Sequence, residues 1–348
     1  MDELAQLLAS RTDAIAAVIG TGSVVSRYIG ETEKNLAAAL GDAERAGVLL
    51  VVDEADDLFG RRGEIEAHDG PVLLSARSLE AIPPELRERL AAVKTLGAFD
   101  VPAEAYDRFM GRYSIQLSAQ LADLAGVREG QRVLDVGCGP GALTGELVRR
   151  LGAENVAAVD PSESFVAAAR ERNPGVDVQL APAERLPHAD GLFDAALAQL
   201  VVHFMTDAVA GLREMARVTR PGGVVAASVW DLAGDRAPPS PFWVAARTID
   251  PDAGSEALLA GARQGHLVEL FRKVGFGDVE EAELTSSVTY ETFDDFWRPY
   301  TGGVGPAGQY AASLDDAGRE RLRDACRATL PDPPFTIDAV AWAVRGTT

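Results

Sequence analysis

Residues 133–144 read Val-Leu-Asp-Val-Gly-Cys-Gly-Pro-Gly-Ala-Leu-Thr, which is the most informative stretch of the chain. Its apolar start predicts a buried strand, and its end predicts a helix that begins in a glycine loop. Gly137, Gly139 and Gly141 alternate with other residues, so the backbone of the loop can approach a ligand closely. Asp135 adds a carboxylate at the mouth of the strand. The stretch therefore predicts a binding site for a nucleotide-type cofactor.

The overall composition is that of a water-soluble globular protein. The 348 residues are 47% hydrophobic and 25% charged, enough to bury a sizeable core. The formal net charge of -20 repels polyanions, so we do not expect a nucleic acid partner. Two cysteines give no disulfide framework, and no targeting or membrane-spanning segment is visible. We therefore expect a cytoplasmic protein without a membrane partner.

From residue 132 onward, apolar runs alternate with helical patterns, which is typical of a parallel α/β sheet with helices on both faces. Strands are predicted at 132–136, 156–160, 176–181, 193–200 and 224–230. Helices are predicted at 142–151, at 162–172, and from Thr206 or Asp207 to about residue 218. The sequence Arg-Pro-Gly-Gly at 220–223 predicts a turn, and 279–289 and 336–344 predict closing strands.

Two segments interrupt this alternation, at about 231–275 and 290–332, and we expect cap or lid insertions there. The second segment contains Trp297, Tyr300 and Tyr310 and a predicted loop at 299–308 that is rich in glycine and proline. Loops of this composition can serve as lids over a site. The alternative is a plain surface connection, and composition does not distinguish the two.

The glycine loop fits two classes of cofactor. Residues 137–142 match the dinucleotide fingerprint G-x-G-x-x-A, and Asp160 lies near the distance expected for a ribose-binding acid. This match alone is weak, because short glycine patterns recur in unrelated proteins. A nicotinamide-dependent reductase is therefore one possible reading of the loop.

The motifs around the loop favour the other class. In chain order they are Tyr-Asp-Arg-Phe-Met-Gly-Arg-Tyr (106–113), Leu-Asp-Val-Gly-Cys-Gly-Pro-Gly (134–141), Ala-Glu-Arg-Leu-Pro (183–187), Asp-Gly-Leu-Phe-Asp-Ala (190–195), Val-His-Phe (202–204) and Glu-Met-Ala-Arg-Val-Thr-Arg-Pro-Gly-Gly (214–223). This series resembles class I S-adenosylmethionine-dependent methyltransferases, in particular the small-molecule branch with ubiquinone and menaquinone C-methyltransferases. The resemblance implies a Rossmann-like, mostly parallel seven-stranded sheet for residues 95–348.

The resemblance also implies which residues bind S-adenosylmethionine. The glycine loop would hold the methionine part, Asp160 would bind both ribose hydroxyls, and Ala183 and Glu184 would flank the adenine. The complete set of candidates is Asp135, Gly137, Cys138, Gly139, Gly141, Asp160, Pro161, Ala183, Glu184 and Gln199. No metal is expected, because methyl transfer from a sulfonium requires none.

Several candidates also have plain structural explanations. Asp135 could be satisfied by nearby backbone N–H groups, and Asp160 could simply cap a helix. Cys138 has no basic partner nearby in sequence, which favours a small loop residue over a nucleophile. His203 follows the fourth strand, where an imidazole can act as a general base or can be a packed wall residue.

The first 94 residues have a different character. Ser-Arg-Tyr-Ile-Gly-Glu-Thr-Glu-Lys-Asn (26–35) and Val-Val-Asp-Glu-Ala-Asp-Asp-Leu-Phe-Gly (51–60) resemble the middle of an AAA+ ATPase, with Asp53 and Glu54 as Walker B carboxylates. The phosphate-binding G-x-x-x-x-G-K-[ST] loop is missing from the sequence. We therefore expect a truncated, non-hydrolytic module that contacts a partner protein, self-associates, or is a relic without function.

These observations lead to one main hypothesis and one alternative. The main hypothesis is S-adenosylmethionine-dependent methylation of a small organic acceptor by in-line displacement, at an oxygen, nitrogen or carbon atom. The alternative is a non-catalytic adaptor that docks on a partner ATPase or assembly through residues 1–94.

Overall fold

The computed structural model describes residues 106–251, 253, 256–302 and 305–348, together with three short strands closer to the N-terminus. Contacts divide the chain into two compact units, Met1–Leu96 and Gly97–Thr348. In the first unit, β1 (Ala16–Gly20), β2 (Leu49–Asp53) and β3 (Val72–Leu74) form a parallel sheet in that order. The rest of residues 1–94, including Glu54, lies outside the described residues.

The second unit is built on a sheet of seven strands. These are β4 (Val133–Val136), β5 (Val156–Asp160), β6 (Asp177–Leu180), β7 (Phe193–Gln199), β8 (Thr219–Trp230), β9 (Gly277–Tyr290) and β10 (Phe335–Thr347). Their order across the sheet is β6-β5-β4-β7-β8-β10-β9. β4 to β8 are parallel, and β10 runs antiparallel to both β8 and β9. The strand order changes direction at β4, where such sheets form a ligand crevice.

Nine α-helices accompany this sheet in the described part of the unit. They are α1 (Arg112–Leu124), α2 (Ala142–Leu151), α3 (Glu163–Arg172), α4 (Ala208–Val218), α5 (Ser240–Ile249), α6 (His266–Val274), α7 (Phe293–Trp297), α8 (Gly305–Ser313) and α9 (Asp316–Thr329). Within the described ranges, no helix combines the length and apolar character needed to cross a bilayer.

The central strands are buried on both faces, as their continuous apolar sequence predicts. On one face, alternate strand residues such as Val133 and Leu197 join a core with α1, α2 and the C-terminal helices. On the other face, residues such as Leu134 and Ala198 pack with α4 and α6. Each face therefore has its own hydrophobic core. The carboxyl ends of the strands, between these two layers, remain available for a binding site.

The structure corrects two predicted elements. The predicted turn at 220–223 belongs to β8, which begins at Thr219, and the pairing of β8 with β7 shifts register between Phe193 and Ala195. The predicted loop at 299–308 is largely helical, in a 3₁₀ turn at Arg298–Gly302 and in α8. Trp297 and Tyr300 are buried in the core beside these helices.

Candidate cofactor-binding site

The glycine loop after β4 is folded tightly against β5. The N–H groups of Gly137 and Cys138 both donate to the Val159 carbonyl oxygen, at 2.8 and 2.9 Å. Gly137, Gly139 and Gly141 have φ angles of 71°, 54° and 97°, which are strained for residues with a Cβ atom. The sequence needs glycine at these positions so that the chain can turn from β4 into α2.

The three glycines differ in what surrounds them. A Cβ atom at Gly137 would lie 2.5 Å from Val201 Cγ2, and one at Gly141 would lie 2.5 Å from Asn173 Nδ2. At Gly139, no atom lies within 4 Å of the Cβ position. Gly137 and Gly141 are therefore required by packing, whereas Gly139 borders open space that a ligand can approach.

Asp135 is buried beneath the loop, with only one carboxylate oxygen engaged. Thr144, in α2, donates its hydroxyl to Asp135 Oδ2 at 2.6 Å, and Oδ1 has no hydrogen-bond partner. Burial raises the pKa of the Asp135 carboxyl to about 7. An unpartnered buried oxygen is costly, so this atom is suited to accept a hydrogen bond from a ligand. Thr144 is not among the predicted site residues, although its place in the first turn of α2 puts its hydroxyl within reach of Asp135.

Asp160 ends β5 and is held in place by the backbone. Gly139 N–H donates to Asp160 Oδ2 at 2.8 Å, and Ser162 N–H donates to Oδ1 at 2.9 Å. Burial raises the pKa of this carboxyl to about 6. The bond to Gly139 ties the carboxylate to the glycine loop, so the two predicted features form one structural unit. Ser162, rather than Asp160, caps α3.

Gln199 ends β7 on the other side of β4. Its amide Nε2 donates to the backbone carbonyl of Ser114, in α1, at 3.0 Å. Its Oε1 atom is buried without a partner. Ser114 is not among the predicted site residues, because a serine inside a helix gives no local signal of a contact with a distant strand.

The remaining predicted cofactor residues differ in environment. Cys138 and Ala183 are buried, and burial raises the pKa of the Cys138 thiol, which therefore stays protonated. Glu184 is half-buried and accepts a hydrogen bond from Asp207 N–H at 3.2 Å. Pro161 is exposed directly after Asp160.

His203 lies in a short 3₁₀ turn just after β7, and its side chain is buried. Its ring packs on Phe204, with 3.8 Å between centroids, and Nδ1 has no hydrogen-bond partner. Burial lowers the pKa of the imidazole to about 3, so the ring is neutral at physiological pH.

The structure thus places the glycine loop, Asp135, Asp160 and Gln199 at the carboxyl ends of three adjacent strands, where strand order reverses. The Arg-Pro-Gly-Gly motif belongs to the opposite end of its strand. There, Arg220 pairs with Asp194 at 2.6 Å. This motif has a structural role.

Similarity to known proteins identifies the family of this chain. Residues 134–227 match the family model described as "Methyltransferase domain". A ubiquinone/menaquinone biosynthesis C-methyltransferase from Chromobacterium violaceum is 33% identical over 183 residues, which cover 47% of this chain and 74% of that relative. The chain belongs to the class I S-adenosylmethionine-dependent methyltransferases. Methyltransferases of this class use S-adenosylmethionine as the methyl donor.

Two further comparisons define how far this likeness extends. A malonyl-[acyl-carrier protein] O-methyltransferase from Pseudescherichia vulneris is 38% identical over 133 residues, which cover 37% of this chain and only half of that relative. A putative methyltransferase of an antibiotic biosynthesis pathway in Anabaena variabilis has a TM-score of 0.50 at 19% identity, covering 69% of this chain and 99% of that structure. This structural likeness supports the methyltransferase fold.

Proposed function

We propose that residues 95–348 of this methyltransferase transfer a methyl group from S-adenosylmethionine to a small organic acceptor by in-line displacement. One observation carries the proposal. The glycine loop and two buried carboxylates, Asp135 and Asp160, meet at the point where strand order reverses. The similarity to a ubiquinone/menaquinone biosynthesis C-methyltransferase and to a malonyl-[acyl-carrier protein] O-methyltransferase supports a small acceptor group, and the net charge of -20 argues against nucleic acid.

We assign roles to the residues around the loop as follows. The loop with Cys138 would hold the methionine part, and the free Oδ1 atom of Asp135 would accept a hydrogen bond from its ammonium group. Asp160, with Pro161 beside it, would bind the ribose, and Ala183 and Glu184 would flank the adenine. Gln199 would border the methionine part from β7. The unpartnered oxygens of Asp135 and Gln199 support these assignments, because each needs a donor that a bound cofactor can supply.

The main task of the protein in this reaction is to align the acceptor with the methyl group of the cofactor. When bound, S-adenosylmethionine supplies a methyl group on a positively charged sulfur atom. The chain's residues must bind this cation next to buried carboxylates and hold the acceptor in line with the methyl group. Positioning of this kind can contribute roughly 7–11 kcal/mol to catalysis in favourable cases.

We also propose that His203 accepts a proton from the acceptor. Its neutral ring and its place at the carboxyl edge of the sheet support this role. With a pKa of about 3 the ring is a weak base, so the role requires an acceptor proton that becomes acidic during transfer. Loss of transfer in His203→Gln with unchanged cofactor affinity would support the role, and unchanged transfer would exclude it.

Calorimetry with S-adenosylmethionine and S-adenosylhomocysteine tests the proposal. We expect saturable binding of both ligands, and Asp160→Ala should weaken it more than tenfold, or about 1.4 kcal/mol. Asp190→Ala is the control, because this carboxylate is 81% exposed in a surface pair with Arg217. A folded wild-type sample that binds neither ligand at millimolar concentration would refute the proposal.

For residues 1–94 we propose a separate AAA+-like module that does not hydrolyse ATP and that contacts a protein partner. The parallel pairing of β1, β2 and β3 supports an α/β module, and Asp53 ends the middle strand. We further propose a cytoplasmic location, supported by two free, buried cysteines, Cys138 and Cys326.

A further inference from the structure

A short segment leads into α1 and lies beside the glycine loop. It consists of Tyr106–Gly111, which we call the strap. Residues Asp107–Gly111 form a single π-helical turn before α1 continues as a regular helix. Isolated π-helical turns are rare in proteins, and those that occur often lie at functional sites. The strap is therefore an unusual backbone element next to the candidate cofactor site.

One arginine joins the strap to the site. The guanidinium of Arg172, the last residue of α3, makes two bonds to the Asp107 carboxylate, at 2.5 and 3.1 Å. The same guanidinium approaches the carbonyl oxygen of Pro140, in the glycine loop, at 3.5 Å. Paired N–H···O bonds of this kind fix orientation as well as distance. Arg172 thus connects the strap, α3 and the glycine loop.

The first residue of the strap, Tyr106, packs against α3. The Tyr106 ring packs edge-on against Phe165, in α3, with 5.4 Å between centroids. Burial raises the pKa of the Tyr106 phenol, a hydrogen bond with Ser114 opposes this shift, and the charges of Asp160 and Asp135 raise the pKa further. The phenol is therefore close enough to both carboxylates to sense their charge.

The strap is also linked to the end of β7. The Ser114 side chain is the hydrogen-bond partner of the Tyr106 phenol, and the Ser114 backbone carbonyl accepts a hydrogen bond from the Gln199 amide. The amide orientation that leaves Gln199 Oε1 unpartnered is thus fixed by the helix that the strap begins. A displaced strap would disturb Tyr106, Ser114 and Gln199 together.

We propose that the strap is a gate over the cofactor site, latched shut by the ion pair between Asp107 and Arg172. The cofactor enters and leaves when this pair opens, and Tyr106 forms the inner wall of the site when it closes. The inference rests on the proposed function, because the gate needs a cofactor to retain. It adds a device that controls exchange of S-adenosylmethionine for S-adenosylhomocysteine.

Association and dissociation rates of S-adenosylhomocysteine, measured by surface plasmon resonance on the full chain, test the gate. Asp107→Asn and Arg172→Gln should each raise both rates by about two- to fivefold, the range expected for loss of an exposed ion pair. The double variant should show no more than either single change, because both remove the same pair. Arg263→Gln is a matched control, since Arg263 also joins a carboxylate, Glu269, to a backbone carbonyl, that of Gln264.

Hydrogen exchange adds a readout that does not depend on ligand binding. The amides of residues 106–114 should exchange faster in both single variants than in the wild type, while the amides of the sheet strands exchange at an unchanged rate. Wild-type binding with unaltered rates in the variants would overturn the gate and leave the proposed function intact. Wild-type protein that binds no S-adenosylhomocysteine would overturn the proposed function and the gate with it.

Discussion

At the scale of the residue, the charged form of the buried Asp135 carboxylate is suited to bind a ligand but destabilises the folded protein. Burial raises its pKa from 3.8 to about 7. Between these values the folded protein holds a proton that the unfolded chain has released, so the contribution of Asp135 to stability falls as pH rises from about 4 to 7. Asp135→Asn removes this effect, so the free energy of unfolding of the variant, relative to that of the wild type, should be higher at pH 8 than at pH 4 by about 4 kcal/mol.

Urea unfolding of both proteins between pH 4 and 8 measures this difference. Asp194→Asn provides a control, because the pKa of Asp194 is shifted in the opposite direction. The Arg132 N–H group and the Arg220 guanidinium lower the pKa of Asp194, so this carboxylate stabilises the fold at neutral pH. Its replacement should therefore cost nearly the same stability at pH 4 and at pH 8, because this contribution is lost mainly as pH falls below the ordinary value of 3.8. A stability difference between wild type and Asp135→Asn that does not change with pH would contradict the burial argument.

Two Gly→Ala substitutions in the glycine loop distinguish the effect of packing on stability from the effect of ligand access on binding. Gly137→Ala places Cβ 2.5 Å from Val201 Cγ2 in a left-handed backbone, and should destabilise the fold by about 2–4 kcal/mol. Gly139→Ala has the same backbone penalty but meets no atom within 4 Å, and should cost only about 1 kcal/mol. Because its methyl group enters the open space, Gly139→Ala should still weaken S-adenosylhomocysteine binding.

Thermal unfolding and calorimetry check both substitutions. If Gly139→Ala binds the ligand as well as the wild type does, the open space beside this residue is not the cofactor site. Equal losses of stability in the two variants would mean that Val201 moves aside and that only the backbone conformation matters.

The residues that the sequence identified are those with a local signal. Three glycines and an acid around a strand end are readable in a few consecutive residues, and the structure brings the loop and Asp160 together through the 2.8 Å bond to Gly139. Thr144 and Ser114 escaped attention, because a polar residue in a helix has many ordinary explanations. Their contacts depend on where the helices pack, which sequence pattern alone does not give.

At the scale of the element, boundaries were predictable where capping and periodicity agree. The helix at 142–151 and the strand at 156–160 have the predicted bounds. Asp207 caps α4 as one of the two predicted candidates, accepting hydrogen bonds from Val209 and Ala210 N–H at 2.9 Å. In these cases the local signals are not opposed by tertiary packing.

The prediction failed where local composition and tertiary packing disagree. Glycine and proline at 299–308 indicated a loop, yet α8 begins at Gly305 with Pro306 in its first turn, where a missing N–H group costs nothing. Tyr300 stacks on Phe242 with 4.5 Å between centroids, and this buried contact orders the preceding turn. Core packing therefore overrides the turn signal in this segment.

At the scale of the whole molecule, strand order is the feature that sequence pattern predicts least well. Alternating strands and helices predict a parallel sheet, and the two closing strands were recognised as strands. Their reversal, with β10 between β8 and β9, follows from long-range pairing such as Trp342 with Val229 and Glu283. No local pattern specifies these partners, so the family resemblance gave only the number of strands and their mostly parallel arrangement, and the structure confirms both.

The division of the chain into Met1–Leu96 and Gly97–Thr348 makes a prediction about the protein as a whole. All residues of the described core clusters lie at or after Phe109. A domain of this size can bury roughly 70–75% of the surface that its unfolded chain exposes. Residues 97–348 alone should therefore fold cooperatively and bind S-adenosylhomocysteine within about twofold of the full chain's affinity. Calorimetry and thermal unfolding of the two proteins provide the comparison. The Asp160→Ala change, made in both, should weaken binding equally. Aggregation of the shorter chain, or a more than tenfold loss of affinity, would show that residues 1–96 are part of the working enzyme rather than a separate module.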